Sequence, residues 1–155
     1  MAVKRRIAAG ESQRRAGAWV VTLLWGFVVC VMHFGGLKYD IYTQYHWWDL
    51  ATHSMSGAGV AALFYLFFEG SMNDRFARVV IVPAFVLGMG AGFEVYEFLF
   101  KDFWWGWSRS AYVGDTLLDL VMDVLGAAAF VGVLWIHRKL GGRGSGSSGE
   151  AVEDD

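Results

Sequence analysis

Three short stretches of this chain carry acidic and imidazole groups inside apolar surroundings. They are WWDLATHS with Asp49 and His53, GFEVYEF with Glu94 and Glu97, and VGDTLLDLVMDVLG with Asp115, Asp119 and Asp123. Spacings of three and four residues put side chains on one face of a helix, so each stretch aims its polar groups in one direction. Carboxylates joined by imidazole are donors for divalent cations. An oxygen-dominated set suits Mg²⁺, Ca²⁺ or Mn²⁺, and one or two histidines extend the choice to Fe or Zn. The spacing does not distinguish among these metals. His53 is the leading imidazole, with His33 and His46 as further candidates. No H-E-x-x-H, E-x-x-H or cysteine cluster occurs, which argues against a structural zinc site and a standard di-iron helix motif. No G-x-S-x-G elbow occurs, and Cys30, the one cysteine, has no intrachain disulfide partner.

These residues need elements to position them. Of 155 residues, 55% are hydrophobic and 18% charged, whereas soluble domains carry about 25% charged residues. The apolar excess lies in four blocks, each near the twenty or so residues that a helix needs to cross hydrocarbon about 30 Å thick. The blocks are 18–37, 48–68, 79–100 and 113–136. Lipid offers a backbone no hydrogen-bond partner, so isolated spans of this length must be helical. The expected fold is therefore all-α, a polytopic membrane bundle of four transmembrane helices. Residues 1–17 read as a basic cytoplasmic N-terminus without the features of a cleaved signal, 18–140 as the transmembrane domain, and 141–155 as a disordered Gly/Ser-rich, acidic tail. Pro83 falls in the first turns of the third span, where a missing N–H costs least. Gly88 and Gly92 form a G-x-x-x-G pair, and Gly57, Gly59, Gly126, Ala127 and Ala128 form similar surfaces. Small residues of this kind let helices pack closely in lipid.

Charge sets the expected orientation. Lys4, Arg5, Arg6, Arg14, Arg15, Arg75, Arg78, Arg138, Lys139 and Arg143 share one side, ten of the thirteen basic residues. Lys38, Lys101 and Arg109 lie on the other, together with a belt of tyrosine and tryptophan. The positive-inside rule makes this a multi-pass cell-membrane protein with both termini cytoplasmic. In that topology the acidic stretches of spans two, three and four all sit in the outer half of the membrane, with Asp123 deepest.

An aspartate at the centre of a span costs about 2.5–3.5 kcal/mol to insert. Six carboxylates must therefore face one another in the bundle interior, where they repel. Divalent metal, protons, or Arg109 and Lys101 folding in from the outer loop are the available compensators. Two simpler roles compete: Asp49 as N-cap of the second span and Asp115 as N-cap of the fourth. Asp119, Asp123, Glu94 and His53 fit such roles least.

The order D-x-x-x-H, then a glycine-rich span ending in E-x-x-E, then G-D-x-x-x-D-x-x-x-[ND]-x-x-G resembles the VanZ-like and YjdF-like membrane proteins, the YjdF-like branch more closely. Asp49, His53, Glu94, Glu97, Asp115, Asp119, Asp123 and Gly126 carry the pattern across spans two to four. Asp123 stands where family members often have Asn, which adds a negative charge. The resemblance implies a small helical-bundle membrane protein and, through the link of the VanZ-like branch to glycopeptide resistance, lipid-linked or envelope substrates. It implies no reaction.

Three functions follow as expectations. One is a metal-dependent enzyme at the outer leaflet acting on a phosphate-bearing lipid, with Arg109 clamping the phosphate. Another is a cation- or proton-binding or transport protein, for which conduction by four spans calls for a homo-oligomer. The third is a structural protein whose bundle is fixed by a buried metal. The bilayer is the expected partner in each, and nucleic acid in none.

Overall fold

The computed structural model describes residues 2–72, 74–101 and 103–141. Among them the chain is helical, with no strand. Its main elements are α1 (Ala2–Lys38), the short α2 (Ile41–Gln44), α3 (His46–Phe68), α4 (Val82–Phe100) and α5 (Arg109–Gly141). Four stretches are long and apolar enough to cross a membrane: Ala9–Lys38, His46–Ser71, Ala77–Phe100 and Arg109–Leu140. Each begins earlier or ends later than its hydropathy block, because a helix continues past the hydrocarbon edge wherever its backbone bonds persist. The first helix runs on through the basic N-terminal segment. The tail from residue 142 onward lies outside the described residues.

The spans alternate in direction. Arg15 of α1 lies 3.7 Å from Glu69, just past α3, and Arg138 near the end of α5 donates to the hydroxyl of Tyr65 on α3. These contacts bring the first and last spans to one end of the bundle. At the opposite end Phe98 of α4 meets Tyr112 of α5. Most large apolar side chains point outward, as lipid-facing residues do; Val21, Phe27, Leu99 and Val133 are among them.

The third span enters through a π-helical stretch, Ala77–Ile81, in which the N–H of Val82 bonds to the carbonyl of Ala77. Pro83 follows at once. A proline inside a helix lacks its N–H and crowds the carbonyl four residues back, and a wider turn ahead of it relieves both problems.

Helix α3 packs mainly on α5, and glycine makes that possible. A side chain at Gly57 would strike the backbone of Asp123, and one at Gly126 would strike the carbonyl of Ser54. Gly59 accommodates Trp25 of α1, whose indole N–H donates to the carbonyl of Met55 at 2.8 Å. The Gly88 and Gly92 pair does something else: both glycines are exposed, with no atom within 4 Å of an added Cβ. Gly90, between them, is the α4 glycine at a close approach, against Asp123 and Leu120 of α5. The buried apolar core, Ala61, Tyr65, Met72, Ala77, Val82, Val86 and Ala127, occupies the half of the bundle that holds the end of α3, the start of α4 and the later turns of α5.

Candidate metal centre

The other half of the bundle is polar inside. Its buried groups are Thr52, His53, Glu94, Asp119 and Asp123. His53 stands at the middle. Its Nε2 lies 3.7 Å from Asp49 Oδ1, one turn earlier on α3, and 4.0 Å from Asp119 Oδ1 on α5. Its Nδ1 lies 3.5 Å from Asp123 Oδ2. One imidazole therefore faces three carboxylates, from both sides of its ring. The i, i+4 register on α3 sets the first contact, and the same register on α5 stacks Asp119 and Asp123 beside it.

Asp49, His53 and Asp119 each offer one donor atom, and the three lie within 4.8 Å of one another. A cation held at about 2.0–2.3 Å from each donor needs neighbouring donors roughly 3.0–3.4 Å apart. The separations here are wider, 3.7 and 4.0 Å from His53 Nε2 and within 4.8 Å overall, so the group is gathered but not closed to coordination distance. Asp119 Oδ1 is buried with no hydrogen-bond partner, and a buried carboxylate oxygen without one is costly. The donor set, two oxygens and an imidazole nitrogen, thus fits a divalent cation.

The remaining acids surround this group at two distances. Glu94 on α4 is buried, and its Oε2 accepts a 3.0 Å hydrogen bond from Thr116 of α5. Its Oε1 is the second buried oxygen without a partner. Glu97 and Asp115 are half-buried, and the charges of both are within reach of Asp49. Neither Asp49 nor Asp115 caps a helix. Asp49 is the fourth residue of α3 and Asp115 the seventh of α5, while Ser108 caps α5 by accepting the N–H of Ala111 at 3.2 Å. The capping alternative for both aspartates is thereby removed.

Four groups that the sequence nominates lie outside the three-residue group. Arg109 is exposed at the first residue of α5 and forms no ion pair with the described carboxylates. His46 is exposed at the start of α3. His33 Nδ1 lies 3.0 Å from the hydroxyl of Tyr42, whose phenol burial pushes up to about 12. Phe93 takes both His33 and His53 edge-on, with ring centroids at 5.7 Å and 6.1 Å. Lys101 stacks on Tyr96, although its charge also reaches Glu97. Among the described residues, no lysine or arginine pairs with Asp49 or Asp119.

Thr116 was not singled out from sequence, nor was Gly90. Thr116 follows Asp115 directly, so the polar run of the fourth span was one residue wider than its acids. Gly90 lies four residues before Glu94, the same helical face, which marks it as the glycine of α4 that meets α5.

Fold and site together define a multi-pass membrane helical bundle with a buried carboxylate–histidine cluster. Residues 7–140 match the family model described as Predicted membrane protein (DUF2238), and the chain belongs to that family. No curated protein and no solved structure matches it.

Proposed function

We propose that this protein binds one divalent cation inside the bundle, with Asp49, His53 and Asp119 as ligands. Asp123, Glu94, Glu97 and Asp115 form the surrounding acidic shell. The observation that carries the reading is the convergence of three donor atoms within 4.8 Å, two of them on buried residues, with Asp119 Oδ1 left unpartnered. A neutral imidazole and two carboxylates are the protonation states a metal requires. Asp123 beside Nδ1 of His53 fits the carboxylate that orients a metal-bound histidine.

The distribution of basic residues supports an orientation with both termini cytoplasmic and the cluster toward the outer leaflet. The pattern shared with VanZ-like and YjdF-like proteins directs the substrate toward a phosphate-bearing lipid or envelope molecule. A bound cation would supply Lewis-acid activation of a phosphoryl oxygen. Asp123 would hold the His53 ring, and Glu94, fixed by Thr116, would accept a proton at Oε1. The apolar core that follows Asp123 supports a binding site open to one side over a conducting path.

A second reading rests on the placement of His53. An imidazolium facing carboxylates from both ring nitrogens would itself balance part of the charge, and the cluster would then bind protons rather than metal. Elemental analysis of protein purified in detergent separates the two. The metal reading expects about one divalent ion per chain, lost in Asp119→Asn and His53→Ala variants that remain folded. Folded wild-type protein without metal, even after incubation with Mn²⁺ or Zn²⁺, would leave the proton reading.

A further inference from the structure

A cavity separate from the acidic cluster lies between the start of the third span and the last turns of α5. Its volume is about 390 Å³, and its lining includes Arg75, Arg78, Val79, Pro83, Gly132 and Trp135. Arg75 and Arg78 are three residues apart on one helical face. Arg78 is anchored by a 2.6 Å hydrogen bond from Nη1 to the carbonyl of Met72. The π-helical stretch Ala77–Ile81 widens the entry of the third span at this point, and such bulges often accompany binding sites. Trp135 stands on the opposite wall with Lys139 over its ring, 4.9 Å from the centroid. Among the described residues no acidic side chain lines this cavity; Asp74 is exposed, and Glu69 pairs with Arg15.

We propose that this cavity binds the phosphate of an anionic membrane lipid, with the first part of the acyl chain along Val79, Pro83, Val131 and Trp135. Charge complementarity and position both point there. Arginine at a membrane interface suits phosphate, which its forked donors match; Arg75 supplies the contact and Arg78, held on the Met72 carbonyl, adds its charge. Basic pockets between helices at this level suit anionic head groups, and each arginine near the surface strengthens attraction about fivefold. The apolar wall belongs to two membrane spans, so a soluble anion would leave it uncovered while a lipid covers both parts. The proposal is independent of metal at the acidic cluster.

The test uses the full-length chain in mixed micelles holding equal phosphatidylglycerol and phosphatidylcholine, read by native mass spectrometry. The wild type should retain phosphatidylglycerol in clear excess. Arg75→Gln should reduce that excess about fivefold. Arg75 is chosen over Arg78 because Arg78 also holds the Met72 carbonyl. Gly132→Leu keeps both arginines and fills the cavity; no atom lies within 4 Å of a Cβ at that position. It should lower the excess to the same extent. Equal retention of the two lipids by the wild type would overturn the proposal, as would an unchanged excess in Gly132→Leu, which would mean diffuse surface charge. Displacement of the lipid by inorganic phosphate alone would identify a free anion as the occupant and reject the lipid.

Discussion

Helices α3 and α5 build two unlike interiors along one shared interface. Toward the end of α3 and the later turns of α5 they enclose alanines, valines and Tyr65; toward the other end the same helices enclose His53, Asp119 and Asp123. Gly57 and Gly126 draw the two backbones together between these regions. The apolar half is held by shape, since lipid tails give helices no hydrophobic reason to associate. The polar half has the opposite problem. Its contacts are numerous, but its charges repel, and two carboxylate oxygens have no partner. The difference separates two kinds of interior: one half is held by close packing, and the other gathers buried acids around His53, whose charge the proposed cation would balance.

The strongest way to break the comparison is to push the two helices apart. Gly126→Leu drives a side chain into the Ser54 carbonyl and should cost about 3 kcal/mol or more. Both halves should fail together, measured as a lower unfolding temperature in detergent and loss of divalent-ion binding. Asp119→Asn acts on the polar half alone. Cation affinity should fall about 100-fold or more as a ligand is removed, in a titration with Mn²⁺. The metal-free variant should be no less stable than metal-free wild type, because a neutral amide relieves repulsion. Thr116→Val removes the one hydroxyl that Glu94 accepts and should cost about 1.5 kcal/mol, with a smaller change in cation affinity than Asp119→Asn. Val86→Ala is the matching change in the apolar half. It should cost about 1 kcal/mol through the cavity it leaves, with cation affinity unchanged.

The fold was legible in the sequence because lipid permits few solutions. Four apolar blocks of spanning length leave only a helical bundle, and the order of the spans follows from the chain itself. Element ends were less legible, since α1 and α5 continue beyond hydrocarbon where hydropathy is silent. The facing of each acidic stretch could be read from spacing, because i, i+4 pairs such as Asp49 and His53 share a face whatever surrounds them. Which residues approach most closely could not. That depends on the rotation of α4 against α5, which put Gly90 rather than Gly88 and Gly92 at the contact. The same rotation gave Glu94 to Thr116. Arg109 followed from charge alone, and charge does not say that its helix would begin there and hold it at the surface.

The central claim is that His53 and Asp119 hold one cation between α3 and α5. Electron paramagnetic resonance of Mn²⁺-loaded protein tests it most directly, because a ligating imidazole nitrogen couples to the metal. Wild type should bind one Mn²⁺ with a nitrogen coupling that disappears in His53→Ala, and Asp119→Asn should abolish high-affinity binding. Folded wild-type protein that binds no Mn²⁺, or binds it without nitrogen coupling, would contradict the account.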